Sequence, residues 1–140
     1  MSKLHEKNIV ITGGTSGIGL AAARLFKHEG GRLLVTGRDQ ARIKSVQQEL
    51  GREVTVIQSE AGNLASIEQL FTQAKQQFKT IDVLFLNAGV AQPAPFEGVT
   101  EAQFDETLGT NLKGLFFTIQ KFLPVLTKGS SIIVTTSITN

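Results

Sequence analysis

Thr12-Gly13-Gly14-Thr15-Ser16-Gly17-Ile18-Gly19 joins a strand signal to a helix signal. The run before it, Asn8 to Thr12, is short, apolar and β-branched, as expected of a strand buried on both faces. Behind it, Ile18, Ala22, Leu25 and Phe26 recur at helical spacing over residues 17–29, and Gly30-Gly31 stops the helix. Glycines at such a junction let the backbone turn sharply and approach a bulky anion closely. The helix behind them offers unpaired N–H groups and a partial positive charge, which suit a pyrophosphate. No Lys-Ser/Thr pair follows Gly19, so a Walker-type triphosphate loop is excluded. The spacing G-x3-G-x-G fits a dinucleotide cradle; the alternative is a tight turn whose glycines serve only helix–strand packing.

Outward from this loop, strand and helix signals alternate. Residues 33–36 read as a second strand, and Asp39 as the N-cap of a helix with Ile43, Val46 and Leu50 on its inner face. Residues 54–57 read as a third strand. A helix with Leu64, Ile67, Leu70, Phe71, Ala74 and Phe78 follows, capped by Asn63 or Ser66. Residues 81–86 form a fourth strand ending at Asn87-Ala88-Gly89, and Pro93 and Pro95 make residues 90–99 a loop. Thr100 and Gln103 form a capping-box pattern. They open one long helix, apolar at Phe104, Leu108, Leu112, Leu115, Phe116, Ile119 and Phe122 and ending near Pro124. Residues 131–135 read as a fifth strand. This order predicts an α/β fold in one domain over residues 1–140: a doubly wound parallel sheet, strand order 3-2-1-4-5, ending after the fifth strand.

Composition narrows the function classes. The chain is 41% hydrophobic and 19% charged, as in soluble globular proteins. Its net charge is only +2, with scattered basic residues, which argues against a nucleic-acid partner. No apolar stretch reaches signal-peptide or transmembrane length, so no membrane partner and a cytoplasmic location are expected. The absence of cysteine excludes disulfides and thiolate metal sites. His5 lies in the polar lead-in and His28 in the last turn of a helix, where a cation is favoured, so neither is read as catalytic or metal-binding. There are nine Phe but no Tyr and no Trp, hence no phenol in the chain.

With Asn87-Ala88-Gly89 after the fourth strand and Asn111-Leu112-Lys113-Gly114 in the following helix, the chain resembles the short-chain dehydrogenase/reductase family. The glycine loop, the 93–96 segment and Thr135-Thr136-Ser137 fit the same pattern. The resemblance implies hydride transfer between a nicotinamide cofactor and a small carbonyl or alcohol substrate. It implies that the turn from Gly13 to Gly19 holds the pyrophosphate, with Thr15, Ser16, Gly17 and Ile18 lining the cofactor. Asn87 would tie the central strand to its neighbours, and Ala88-Gly89 would pass close to the adenosine ribose. Asn111, an odd choice inside a helix, would interrupt it and help hold a proton-relay water, and Ser137 would hydrogen-bond the substrate carbonyl.

At the end of the second strand, Gly37 would make room and Arg38 would fork onto a 2′-phosphate, favouring NADP over NAD. Glu60, followed by Ala61, stands where the family usually has an aspartate meeting the adenine amine, and it is one methylene longer. The family's Tyr-x-x-x-Lys pair would follow Ser137 and is not in the sequence. The expectation is therefore the N-terminal, cofactor-binding portion of a longer reductase, inactive alone, with an open sheet edge at 132–134 that favours a homo-oligomer. The alternative is a non-catalytic NADP(H)-binding or interaction module.

Overall fold

Asn8–Thr12 forms strand β1, whose Ile9, Val10 and Ile11 are each fully buried. Full burial on both faces requires helices above and below, and the computed structural model, which describes residues 2–137, has them. The order is β1, α1 (Gly17–His28), β2 (Arg32–Gly37), α2 (Gln40–Leu50), β3 (Thr55–Gln58), α3 (Leu64–Gln77) and β4 (Ile81–Leu86). After the loop come α4 (Glu101–Leu108), a π turn (Gly109–Gly114), α5 (Leu115–Phe122) and β5 (Leu126–Val134). All strand pairs are parallel, and the sheet order is β3-β2-β1-β4-β5.

Strand alternation sorts the core into two layers. Ile9, Ile11, Leu33, Val35 and Val56 point to one face, against Ala23 of α1 and Ile43, Val46 and Leu50 of α2. Val10, Leu34, Leu84 and Leu86 point to the other, against Leu70 and Ala74 of α3 and Phe122 of α5. Each such side chain contributes about 1.5–3 kcal/mol on burial, so β1 stabilises both layers at once.

The caps follow the chemistry of the residues. The Asp39 carboxylate accepts from Arg42 N at 2.7 Å, and Asn63, rather than Ser66, caps α3 by accepting from Ser66 N at 3.0 Å. Thr100 and Gln103 form the expected capping box.

Three features sharpen or correct the sequence reading. The long helix is interrupted around Asn111, as the resemblance implied: Gly109–Gly114 winds as a π turn. A Cβ at Gly114 would collide with the Ala61 carbonyl, so the turn lets this helix close onto the loop after β3. Next, β5 begins at Leu126 instead of Ser131, and its pairing with β4 shifts register between Ile81 and Val83. Finally, part of the apolar stripe expected on inner faces points outward: Leu25, Phe104, Leu108, Leu112 and Phe116 are exposed, whereas the exposure of Ile132 and Ile133 on β5 is that expected of the open edge.

At the opposite end of the sheet from the glycine loop, Asp82 of β4 meets the start of β1. Partial burial works against its charge, but the Asn8 N–H at 2.9 Å and the Lys7 ammonium at 3.1 Å outweigh it and hold the carboxyl below its ordinary value. The stabilisation is thus complete above the unfolded carboxylate pKa and is lost as pH falls through the lowered folded value. Asp82→Asn is expected to be less stable than the parent at pH 7, with the difference shrinking below about pH 4. Urea denaturation across that range measures it; a gap that widens in acid contradicts the assignment.

Candidate functional site

The chain reverses direction across the sheet between β1 and β4, and the C-terminal ends of β1 to β4 open there onto a cleft of about 820 Å³. That volume is in the range of a small-molecule or cofactor site. Its floor is the glycine loop. Gly13 (φ +65°) could not carry a side chain, because a Cβ would stand 2.8 Å from the Ala88 Cα. Gly17 (φ +52°) borders the cleft with no atom within 4 Å of its missing Cβ, so a ligand can approach the backbone there. Ser16 sits at the N-cap of α1, yet its side chain makes no capping bond among the described residues. The first-turn N–H groups of α1 therefore have no side-chain acceptor from the cap and are oriented for an anion. Gly19 serves packing: a Cβ would strike the Gly13 carbonyl and the Asn87 amide.

One polar knot fixes this floor. The buried Thr12 hydroxyl accepts from the N–H groups of Asn87 (3.1 Å) and Ala88 (3.2 Å). Asn87 Nδ2 donates to the Gly13 carbonyl at 3.1 Å, and its Oδ1 accepts from the Thr135 hydroxyl at 2.9 Å. Asn87 thus ties the ends of β1, β4 and β5 together.

The β2 wall carries the charge. Gly37 does make room, but for the protein itself: the space a Cβ would occupy is filled by the buried side chain of Thr15. The Arg38 carbonyl is held by the Gln58 amide at 3.0 Å. Its guanidinium lies at the rim, 3.7 Å from Glu60 and 3.7 Å from Glu106. Asp39, already engaged as the α2 cap, and Arg42 also border the cleft. Glu60 and Ala61 complete that side, and Ala88, Gly89 and Val90 the other, with Ile18 exposing its apolar side chain in between.

Asn111 lies in the π turn and grips Val90 at two points. Its Oδ1 accepts from Val90 N and its Nδ2 donates to Val90 O, both at 2.8 Å. Through Val90 it shapes the cleft, although among the described residues the cleft lining includes neither Asn111 nor Ser137. Ser137 is exposed, just beyond β5.

The structure therefore gathers Gly13, Thr15, Ser16, Gly17, Ile18, Arg38, Glu60, Ala61, Asn87, Ala88 and Gly89 around one cavity. Arg42 and Thr110 were not singled out from the sequence, and Thr12 and Thr135, though part of the quoted motifs, were given no role there. Thr12 and Thr135 sit at strand ends, where a hydroxyl can reach the next strand's backbone, and that position was the available signal.

Thr12→Val keeps the shape but leaves the Asn87 and Ala88 N–H groups unpaired. A loss of about 1–3 kcal/mol is expected in urea denaturation. A neutral result would show that the knot is replaceable.

Comparison with known proteins agrees with this arrangement. The family model described as short chain dehydrogenase matches residues 7–140. An oxidoreductase of Sarocladium schorii is 37% identical over 139 residues, which are 98% of this chain and 56% of that protein. A solved short-chain dehydrogenase/reductase from Brucella melitensis, described as a glucose/ribitol dehydrogenase, superposes with TM-score 0.89 at 30% identity, over 94% of this chain and 57% of that one. A 3-ketoacyl-(acyl-carrier-protein) reductase of the same organism, solved in complex with NADH, gives TM-score 0.83 at 28% identity, over 88% and 51%. The chain thus spans about half the length of the relatives it matches. With the family's sequence pattern running through nearly all of a β3-β2-β1-β4-β5 sheet, this chain belongs to the short-chain dehydrogenase/reductase family.

Proposed function

We propose that this chain forms the cofactor-binding half of an NADP(H)-dependent carbonyl reductase or alcohol dehydrogenase. The observation that carries the proposal is the glycine loop: Gly17 open to the cleft, Ser16 leaving the α1 N-terminus uncapped by its side chain, and Arg38 at the rim. The residues fit a dinucleotide. The backbone from Gly13 to Gly19, with its N–H groups and the helix dipole in place of water, would hold the pyrophosphate. Ile18 covers an apolar part of the cofactor, and Ala88 and Gly89, free of bulky side chains, border the ribose. Arg38 meets the 2′-phosphate, and Glu60 stands toward the adenine end. When bound, the nicotinamide supplies or accepts the hydride.

The remaining roles concern the substrate side. Ser137 offers a hydroxyl to the substrate carbonyl. Asn111, held rigid by Val90, helps to position a relay water. The proton on the reacting oxygen needs an acid whose pKa can be brought near neutrality, and the sequence contains no tyrosine. The 140-residue chain is therefore expected to bind cofactor without turning over.

Calorimetric titration with NADP and NAD tests the reading. NADP should bind more tightly, and Arg38→Ala should weaken NADP by about tenfold or more while sparing NAD, as for loss of a charge-assisted hydrogen bond. No NADPH oxidation is expected against a ketone and quinone panel. Equal binding of the two cofactors removes the NADP assignment, and turnover removes the expectation of inactivity.

The outward stripe of Leu108, Leu112 and Phe116 favours a homo-oligomer, because contiguous exposed apolar surface gains by self-association. Leu112→Glu with Phe116→Glu should shift the chain toward monomer in sedimentation velocity. An unchanged distribution assigns association elsewhere.

A further inference from the structure

Arg38 does not stand at the rim as a free cation. Its Nη1 is 3.7 Å from Glu60 Oε1 and 3.7 Å from Glu106 Oε1. Glu60 follows β3 directly, and its position on the cleft wall is explained by the fold. Glu106 is different. It stands on α4, far away in sequence, and is brought to Arg38 only by tertiary structure. Its other oxygen, Oε2, accepts a hydrogen bond from the Gln92 side-chain amide, so the carboxylate is engaged at both oxygens. Arg38 is likewise anchored, its carbonyl held by Gln58. A guanidinium and a carboxylate, the first anchored through its backbone and the second through its own side chain, thus face each other across the rim.

The three side chains are about half exposed (54% for Arg38, 51% for Glu60, 43% for Glu106), so these ion pairs add little to stability. Their consequence is electrostatic. A 2′-phosphate approaching Arg38 must share the guanidinium with Glu106 and sit near its negative charge. A 2′-hydroxyl carries no charge and meets no such competition.

We propose that Glu106 determines cofactor specificity by acting as the competing anion for Arg38, restraining the preference for a 2′-phosphate over a 2′-hydroxyl. This rests on the reading of Arg38 as the phosphate contact. Glu106 acts through Arg38 and is a positioning residue, so its effect depends on the arginine being present.

The test is a double-mutant cycle on the 140-residue chain, titrating NADP and NAD in low salt into the parent, Glu106→Gln, Arg38→Ala and the double variant. Glu106→Gln should tighten NADP by about three- to fivefold, the scale of one solvated ion pair, and leave NAD unchanged. The gain should vanish in the Arg38→Ala background and shrink in high salt. If Glu106→Gln leaves NADP unchanged or weaker while Arg38→Ala weakens it, this inference fails alone. Equal tightening of both cofactors, or a gain that survives without Arg38, also overturns it. If Arg38→Ala leaves NADP affinity intact, the phosphate reading of Arg38 fails and this inference with it.

Discussion

Everything in the candidate site hangs on the Thr12 hydroxyl. It is buried at the end of the central strand and accepts two backbone N–H groups from the chain leaving β4. Parallel strands diverge at their C-terminal ends, and their last N–H groups need partners once the ladder stops. Thr12 meets that demand for Asn87 and Ala88. Asn87 then turns its amide onto Gly13, which holds the first glycine of the loop in a left-handed conformation. Glycine loop and cleft wall are consequently joined by hydrogen bonds across the switch point.

The same economy governs the helix side. A regular helix from Thr100 to Phe122 could not satisfy every contact along its length. Gly114 has to meet the Ala61 carbonyl, Asn111 has to reach Val90, and Glu106 has to reach the β2 rim. The π turn at Gly109–Gly114 changes the phase of the helix between α4 and α5. Upstream, Glu106 of α4 faces the charged rim; downstream, Phe122 packs into the core layer with Leu70 and Ala74 of α3. The irregular turn is thus where a structural helix becomes part of a site wall.

Strand and helix identity was legible because burial imposes period. The β-branched run of β1, the Gly30-Gly31 pair that stops α1 and the Asp39 and Thr100 caps are local chemistry, and all appear where the residues place them. The glycine loop was legible for the same reason, since its neighbours define a strand-to-helix turn. The apolar stripe of α4 and α5 misled, because period alone shows that a helix has an apolar face and not what lies against it. Phe104, Leu112 and Phe116 share the spacing of Phe122 but are exposed where Phe122 is buried. The early start of β5 was hidden by Lys128 and Gly129, residues depleted in strands, which pairing at Ile81 nevertheless tolerates.

By itself, the sequence determined the βα alternation and the glycine loop, because each is written in short-range spacing; the sheet order followed from the right-handed crossovers of such an alternation, and the family from the resemblance carried by residues 12–19, 87–89 and 111–114. Only the tertiary structure decided what Gly37 makes room for, which residues hold Asn111, and that Arg38 is shared between Glu60 and Glu106. Those are contacts between residues distant in the chain, and no local pattern encodes the distance at which two folded elements come to rest.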